Sequence, residues 1–116
     1  MSIKRIGTGK RMSEAVIHGG KAYLAGFVAD KAAGKSVKEQ TADILSQIDA
    51  TLAKAGTDKT KILKANIWIT DIGTLEQMNE SWDAWVPQGH TPARATVEAK
   101  LAAPEFNVEI MVEAAI

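Results

Sequence analysis

A chain of 116 residues that is 46% hydrophobic has enough apolar side chain for one buried core and is too apolar for a disordered tail. Its 14 Lys and Arg balance its 14 Asp and Glu, so the basic surplus expected of a phosphate binder is absent. It has no cysteine, which excludes disulfides and thiolate chemistry and fits a reducing cytoplasm. No apolar run approaches the roughly 20 residues that cross a bilayer. The N-terminus also lacks the charged-then-apolar layout of a signal peptide. A single domain over residues 1–116, cytoplasmic and without a membrane or nucleic-acid partner, is the expectation.

Residues 2–6, SIKRI, alternate and predict a short strand. Residues 15–29, AVIHGGKAYLAGFVA, predict a hairpin, because Gly19–Gly20 can take the paired positive φ angles of a two-residue turn. Residues 30–36 predict a loop. The period then changes. Val37, Thr41, Ile44, Leu45, Ile48, Leu52 and Ala55 recur every three or four residues and make one apolar helix stripe. Ser36 and Glu39 have capping-box spacing at its start, and Gly56 follows its end.

Residues 61–70, KILKANIWIT, alternate again. Leu63, Ala65, Ile67 and Ile69 share one face; Lys64, Asn66, Trp68 and Thr70 share the other. Thr74 and Gln77 repeat the capping-box spacing. Leu75, Met78, Trp82 and Trp85 form a second helical stripe, stopped near Pro87 and Gly89. Two strands complete the chain. In the first, Ala93, Ala95, Val97 and Ala99 oppose Arg94, Thr96, Glu98 and Lys100. In the second, Val108, Ile110, Val112 and Ala114 oppose Asn107, Glu109, Met111 and Glu113.

The order β-β-β-α-β-α-β-β predicts an α+β sandwich, with a mixed sheet of about five or six strands and both helices on one face. The uncovered face would carry Trp68, Thr70, Arg94, Thr96, Glu109 and Met111, with Tyr23, Ala25 and Phe27 nearby. That mixture is too apolar for open solvent and too polar for a core. Subunits are therefore expected to pack sheet against sheet.

Little conventional chemistry is available. Two histidines, His18 and His90, and no cysteine supply too few ligands for a metal, and neither metal nor cofactor is expected. GTGK at 7–10 lacks P-loop spacing, and no G-x-S-x-G occurs. Arg94 and Glu109 remain. Arg94 is either an interface ion-pair partner or an anion clamp, since a guanidinium holds a carboxylate through two parallel hydrogen bonds. Glu109 is either a structural partner or, beside a bound anion, a group that positions or deprotonates a water.

PARATVEAKL at 92–101, followed by VEI at 108–110, resembles the signature of the RidA family, also called YjgF/UK114. EQTADILSQIDATLAKAGT, KILKANIWITDI and MNESWDAW extend the resemblance over essentially the whole chain. It implies a chorismate-mutase-like fold, a homotrimer with clefts between subunits, and an enamine/imine deaminase. The implied reaction hydrolyses 2-aminoacrylate or its imine to a 2-keto acid and ammonia. By position, Arg94 matches the family's carboxylate-binding arginine and Glu109 the glutamate assigned to the water. Asn79 and Gly26 match residues near the cleft.

The chain also departs from the common family pattern. Met12 stands where an aromatic is usual, Ala25 where a serine is common, and Thr96 where a cysteine is common. Arg11 adds a charge beside Met12. These positions suggest a divergent subgroup with R-x-S-[ED]-x-V near the N-terminus. The expected substrate-facing set is Arg94, Thr96, Asn79, Gly26, Met12 and Arg11. The alternative reading is a non-enzymatic trimeric module that binds keto or amino acids or a protein partner. A ribonuclease or translation inhibitor, a reading attached to some family members, fits poorly with neutral charge and no basic-aromatic stripe.

Overall fold

A computed structural model describes residues 2–116. Its strands are β1 (Lys4–Ile6), β2 (Ala15–His18), β3 (Lys21–Leu24), β4 (Phe27–Val28), β5 (Ile62–Ile69), β6 (Ala93–Glu98) and β7 (Val108–Ala115), and its helices are α1 (Val37–Lys54) and α2 (Leu75–Trp85). The strands form one seven-stranded sheet in the order β1-β2-β3-β7-β5-β6, with β4 also paired to β7. Only β5 and β6 run parallel among these pairs. The seventh strand, beyond the five or six expected, is β4. The 15–29 stretch breaks at Ala25–Gly26, so that β3 pairs with one end of β7 and Phe27–Val28 pair nearer the other.

The local signals explain most of this path. Gly19 and Gly20 take φ values of 60° and 77°, as the tight β2–β3 turn requires. Ser36 caps α1 by accepting the Glu39 N–H at 3.1 Å, and its hydroxyl donates back to Glu39 Oε1 at 3.0 Å. The whole predicted α1 stripe is buried. At α2 the Thr74–Gln77 box does not form, because Asp71 acts first. Asp71 Oδ1 accepts the Gly73 N–H at 2.9 Å and starts a 3-10 turn, while Thr74 Oγ1 donates to the Asp71 carbonyl at 2.6 Å. A bulge between Ile62 and Lys64 buries Ile62 and leaves Leu63 48% exposed. The expected faces of β5 therefore hold only from Ala65 onward.

Both helices pack on one face, over Ala65, Ile67 and Ile69 of β5 and Val108, Ile110 and Val112 of β7, all nearly inaccessible. Beneath them sits a polar knot. The buried Gln40 side chain donates to Lys35 O, Glu105 O and Asn107 Oδ1 at 2.9, 3.1 and 2.9 Å, and accepts the Asn107 N–H at 2.9 Å. These bonds tie the start of α1 to the β6–β7 connection.

Asp43 on α1 pins the 30–36 loop by accepting the backbone N–H groups of Asp30 and Ala32 at 2.7 and 3.0 Å. Partial burial pushes its carboxyl pKa up, but those two bonds and the Gln47 side chain outweigh burial and hold it below the usual aspartate value. A depressed folded pKa means the stabilisation is complete above the ordinary value of about 3.9 and disappears as pH falls through the lower folded value. Asp43→Asn is expected to cost about 1–2 kcal/mol at pH 7 and clearly less at pH 2. Urea unfolding at the two pH values measures it; an equal loss at both would remove the charge from the explanation.

Candidate functional site

The β5–β6 register decides where the signature residues point. Ala65, Ile67 and Ile69 pair with Arg94, Thr96 and Glu98, and paired residues share a face. Arg94, Thr96 and Glu98 thus lie on the helix side, the reverse of the expected assignment, and Ala93, Ala95 and Val97 lie on the open side with Lys64, Asn66 and Trp68. The reason is the edge. β6 ends the sheet, beyond full helix cover, so its helix-side positions tolerate polar groups and its small apolar residues gave a misleading core pattern. Phe27 is likewise on the core side, packed against the buried cluster. Trp68, Glu109, Met111 and Tyr23 are on the open face as expected.

Arg94 is an exposed residue whose guanidinium is nonetheless anchored. Its Nη1 donates to Asn79 Oδ1 at 2.9 Å, and its guanidinium carbon lies 5.4 Å from the centre of the Trp82 ring. Asn79 and Trp82 stand one turn apart on α2 and so present side by side. Thr96, two residues on and on the same face, has a buried Oγ1 without a hydrogen-bond partner among the described residues. The structure therefore brings Arg94, Asn79 and Thr96 to one edge, with Trp82 behind. The sequence reading missed Trp82 there because it assigned that ring only to the core; its spacing from Asn79 was the available signal.

Glu109 is elsewhere. It pairs with Trp68 and Val28 on the open face, half-buried, and makes no ion pair with Arg94 among the described residues. Gly26 lies against it: a Cβ at Gly26 would fall on Glu109 Oε2 and come within 3.1 Å of Cδ. The glycine is thus the space that the carboxylate occupies. Because the obstacle is the end of a flexible side chain, Gly26→Ala is expected to displace the Glu109 carboxylate while changing stability by less than about 1 kcal/mol. Thermal unfolding and a crystal structure of the variant check both halves; an unmoved Glu109 would contradict the crowding.

Arg11 and Met12 form the exposed tip of the loop between β1 and β2, closed by a Gly9 N–H to Met12 O bond at 2.8 Å; Met12 is 57% exposed. Neither reaches Arg94 or Glu109 by a hydrogen bond within one chain, among the described residues. A separate cavity of about 310 Å³ lies under the β6–β7 connection, walled by Leu101, Phe106, Thr70 and Asn107 with Lys100 at its rim. Asn107 Nδ2 donates to Thr70 Oγ1 at 3.0 Å, so those two polar groups already satisfy each other. No three His, Asp or Glu side chains converge as metal ligands would among the described residues. No described helix is long and apolar enough to cross a membrane.

The family model described as endoribonuclease L-PSP matches residues 2–116. A RutC family protein of Haemophilus influenzae is 45% identical, with 97% of each chain covered. The chain belongs to the RidA (YjgF) family. A crystal structure of a YjgF-family protein from Neisseria meningitidis matches with a TM-score of 0.96 at 49% identity, over 99% of this chain and 95% of that one. The RidA-type α+β fold, two helices on one face of a mixed sheet, is therefore the fold of this chain. A more distant relative, 29% identical over 72% of this chain and 43% of its own length, is the chloroplastic Reactive Intermediate Deaminase A of Arabidopsis thaliana.

Proposed function

We propose that the protein is an imine deaminase of the reactive-intermediate type, hydrolysing 2-aminoacrylate-derived imines to 2-keto acids and ammonia. The observation that carries this reading is the Arg94 fork, anchored by one N–H to Asn79 on an exposed residue of the sheet edge. A guanidinium so held can take a carboxylate through two parallel bonds, which a lysine cannot reproduce. The deaminase name of the Arabidopsis relative agrees.

In the reaction, water oxygen attacks the iminium carbon, and Glu109 takes the proton that water loses. The nitrogen is then protonated, the C–N bond breaks, and ammonia leaves as the carbonyl forms. No cofactor enters, because a protonated imine is itself an electrophile. One chain keeps Arg94 and Glu109 on opposite faces of its sheet. A shared cleft needs either Arg94 reaching round the β6 edge or a second copy. The open face favours the second copy: Tyr23, Val97 and Leu63 are 41%, 50% and 48% exposed there or at its margin. A homotrimer, the assembly implied by the family resemblance, would cover them.

The test generates 2-aminoacrylate in place with a dehydratase and follows keto-acid release with and without the protein. Acceleration over spontaneous hydrolysis supports the deaminase. An unchanged rate, with 2-keto acid still bound, points to the metabolite-binding module, the reading that exposed Met12 in place of an aromatic favours. Light scattering on the purified protein alone should report about three times the 12.4 kDa of one chain.

A further inference from the structure

Arg94 sits on an edge strand, and a free arginine there would sample many rotamers and lose that freedom when fixed. Its surroundings remove that freedom in a specific way. The Trp82 ring under the guanidinium is 5% exposed, and it is itself braced. The Trp85 ring meets it at 5.4 Å with a 52° tilt. Trp85 Nε1 donates to Asp49 Oδ2 on α1 at 3.0 Å. Lys59 lies 5.3 Å from the Trp85 ring and donates to the Trp85 carbonyl at 2.8 Å. The ring facing Arg94 is therefore locked through a second ring to α1 and to the turn before β5.

We infer that Trp82 is a positioning residue for Arg94. Its π face sets the plane of the guanidinium, and Asn79 sets the rotation within that plane. The inference rests on the carboxylate-clamp reading of Arg94 and deepens it. A planar cation over a ring keeps its N–H groups directed sideways, in the plane, where a carboxylate can meet two of them at once. The Asn79 oxygen takes one N–H and leaves the others at the exposed edge for the ligand. The site should accordingly prefer small 2-keto carboxylates that lie flat along that edge. Trp82 touches no substrate in this arrangement and acts only through Arg94.

The experiment uses the full chain, Trp82→Phe and Trp82→Leu variants, and pyruvate as the probe. Three quantities are read: pyruvate Kd by calorimetry, KM and kcat for the imine, and the NMR shift of the Arg94 Nε–H. Loss of the cation–ring contact predicts roughly three- to thirtyfold weaker pyruvate binding in Trp82→Leu, with a smaller loss in Trp82→Phe. KM should rise with kcat less affected. The ring-current shift of the Arg94 Nε–H should vanish in the leucine variant and return in part with phenylalanine, a pattern that a general packing defect would not give. Parental Kd and an unmoved Arg94 signal in a folded Trp82→Leu would overturn the inference. Should leucine prevent folding, Trp82→Phe with parental Kd and an unmoved signal would overturn it alone. Failure of the clamp itself reads differently: Arg94→Lys would then bind pyruvate as the parent does, whatever Trp82 variants show.

Discussion

Arg94→Lys should bind pyruvate at least roughly tenfold more weakly and lose most turnover while keeping its fold. Three properties of the arginine go at once. The lysine cannot form the two-pronged bond to a carboxylate, cannot spread over the Trp82 ring, and delivers a compact ammonium in place of a plane. The charge survives, so any ligand attracted by charge alone still arrives, but in many orientations. The fold should tolerate the change because Arg94 is an exposed residue and carries no ion pair among the described residues. Calorimetry with pyruvate and the coupled dehydratase assay measure the two losses. A lysine variant with parental affinity would end the clamp reading. A variant whose mass falls to that of one chain would make Arg94 an assembly residue instead.

Glu109→Gln separates binding from chemistry. Glutamine keeps the shape and one acceptor but cannot take a proton. Turnover should fall about 10²–10⁴-fold, the span expected for a lost general base, with pyruvate Kd within about threefold of the parent. The structure sharpens this expectation. Among the described residues Glu109 has no ion pair to break and is fitted against Gly26, so removal of its charge leaves no described cation orphaned. Weakened binding at unchanged turnover would return Glu109 to a structural role. Normal turnover would place water activation on other groups.

Much of the fold was legible in the sequence because its helices are strictly periodic and β7 is covered in full. Val108, Ile110, Val112 and Ala114 are all buried as the alternation predicts. β6 was misread for a physical reason: an edge strand is half-covered, so its polarity does not report which side faces the helices. The Ile62–Lys64 bulge was hidden because an inserted residue shifts parity without changing composition. Gln40 gave no signal at all. It stands on the buried side of α1, and only its partners at Lys35, Glu105 and Asn107, far apart in the chain, explain a fully buried amide. At the site, the signature picked out Arg94, Asn79, Thr96, Glu109 and Gly26 by position. It could not show that the first three and the last two lie on opposite sides of the sheet.

That separation has a consequence for how activity would scale. With Arg94 on one side of a sheet and Glu109 on the other, a folded single chain holds two halves of different sites. If neighbours complete them, catalysis belongs to the assembly, and specific activity should fall on dilution as subunits part. Mixing also becomes informative. Co-refolded chains carrying Arg94→Lys and Glu109→Gln, each strongly impaired alone, would contain some clefts that draw an intact arginine from one copy and an intact glutamate from another.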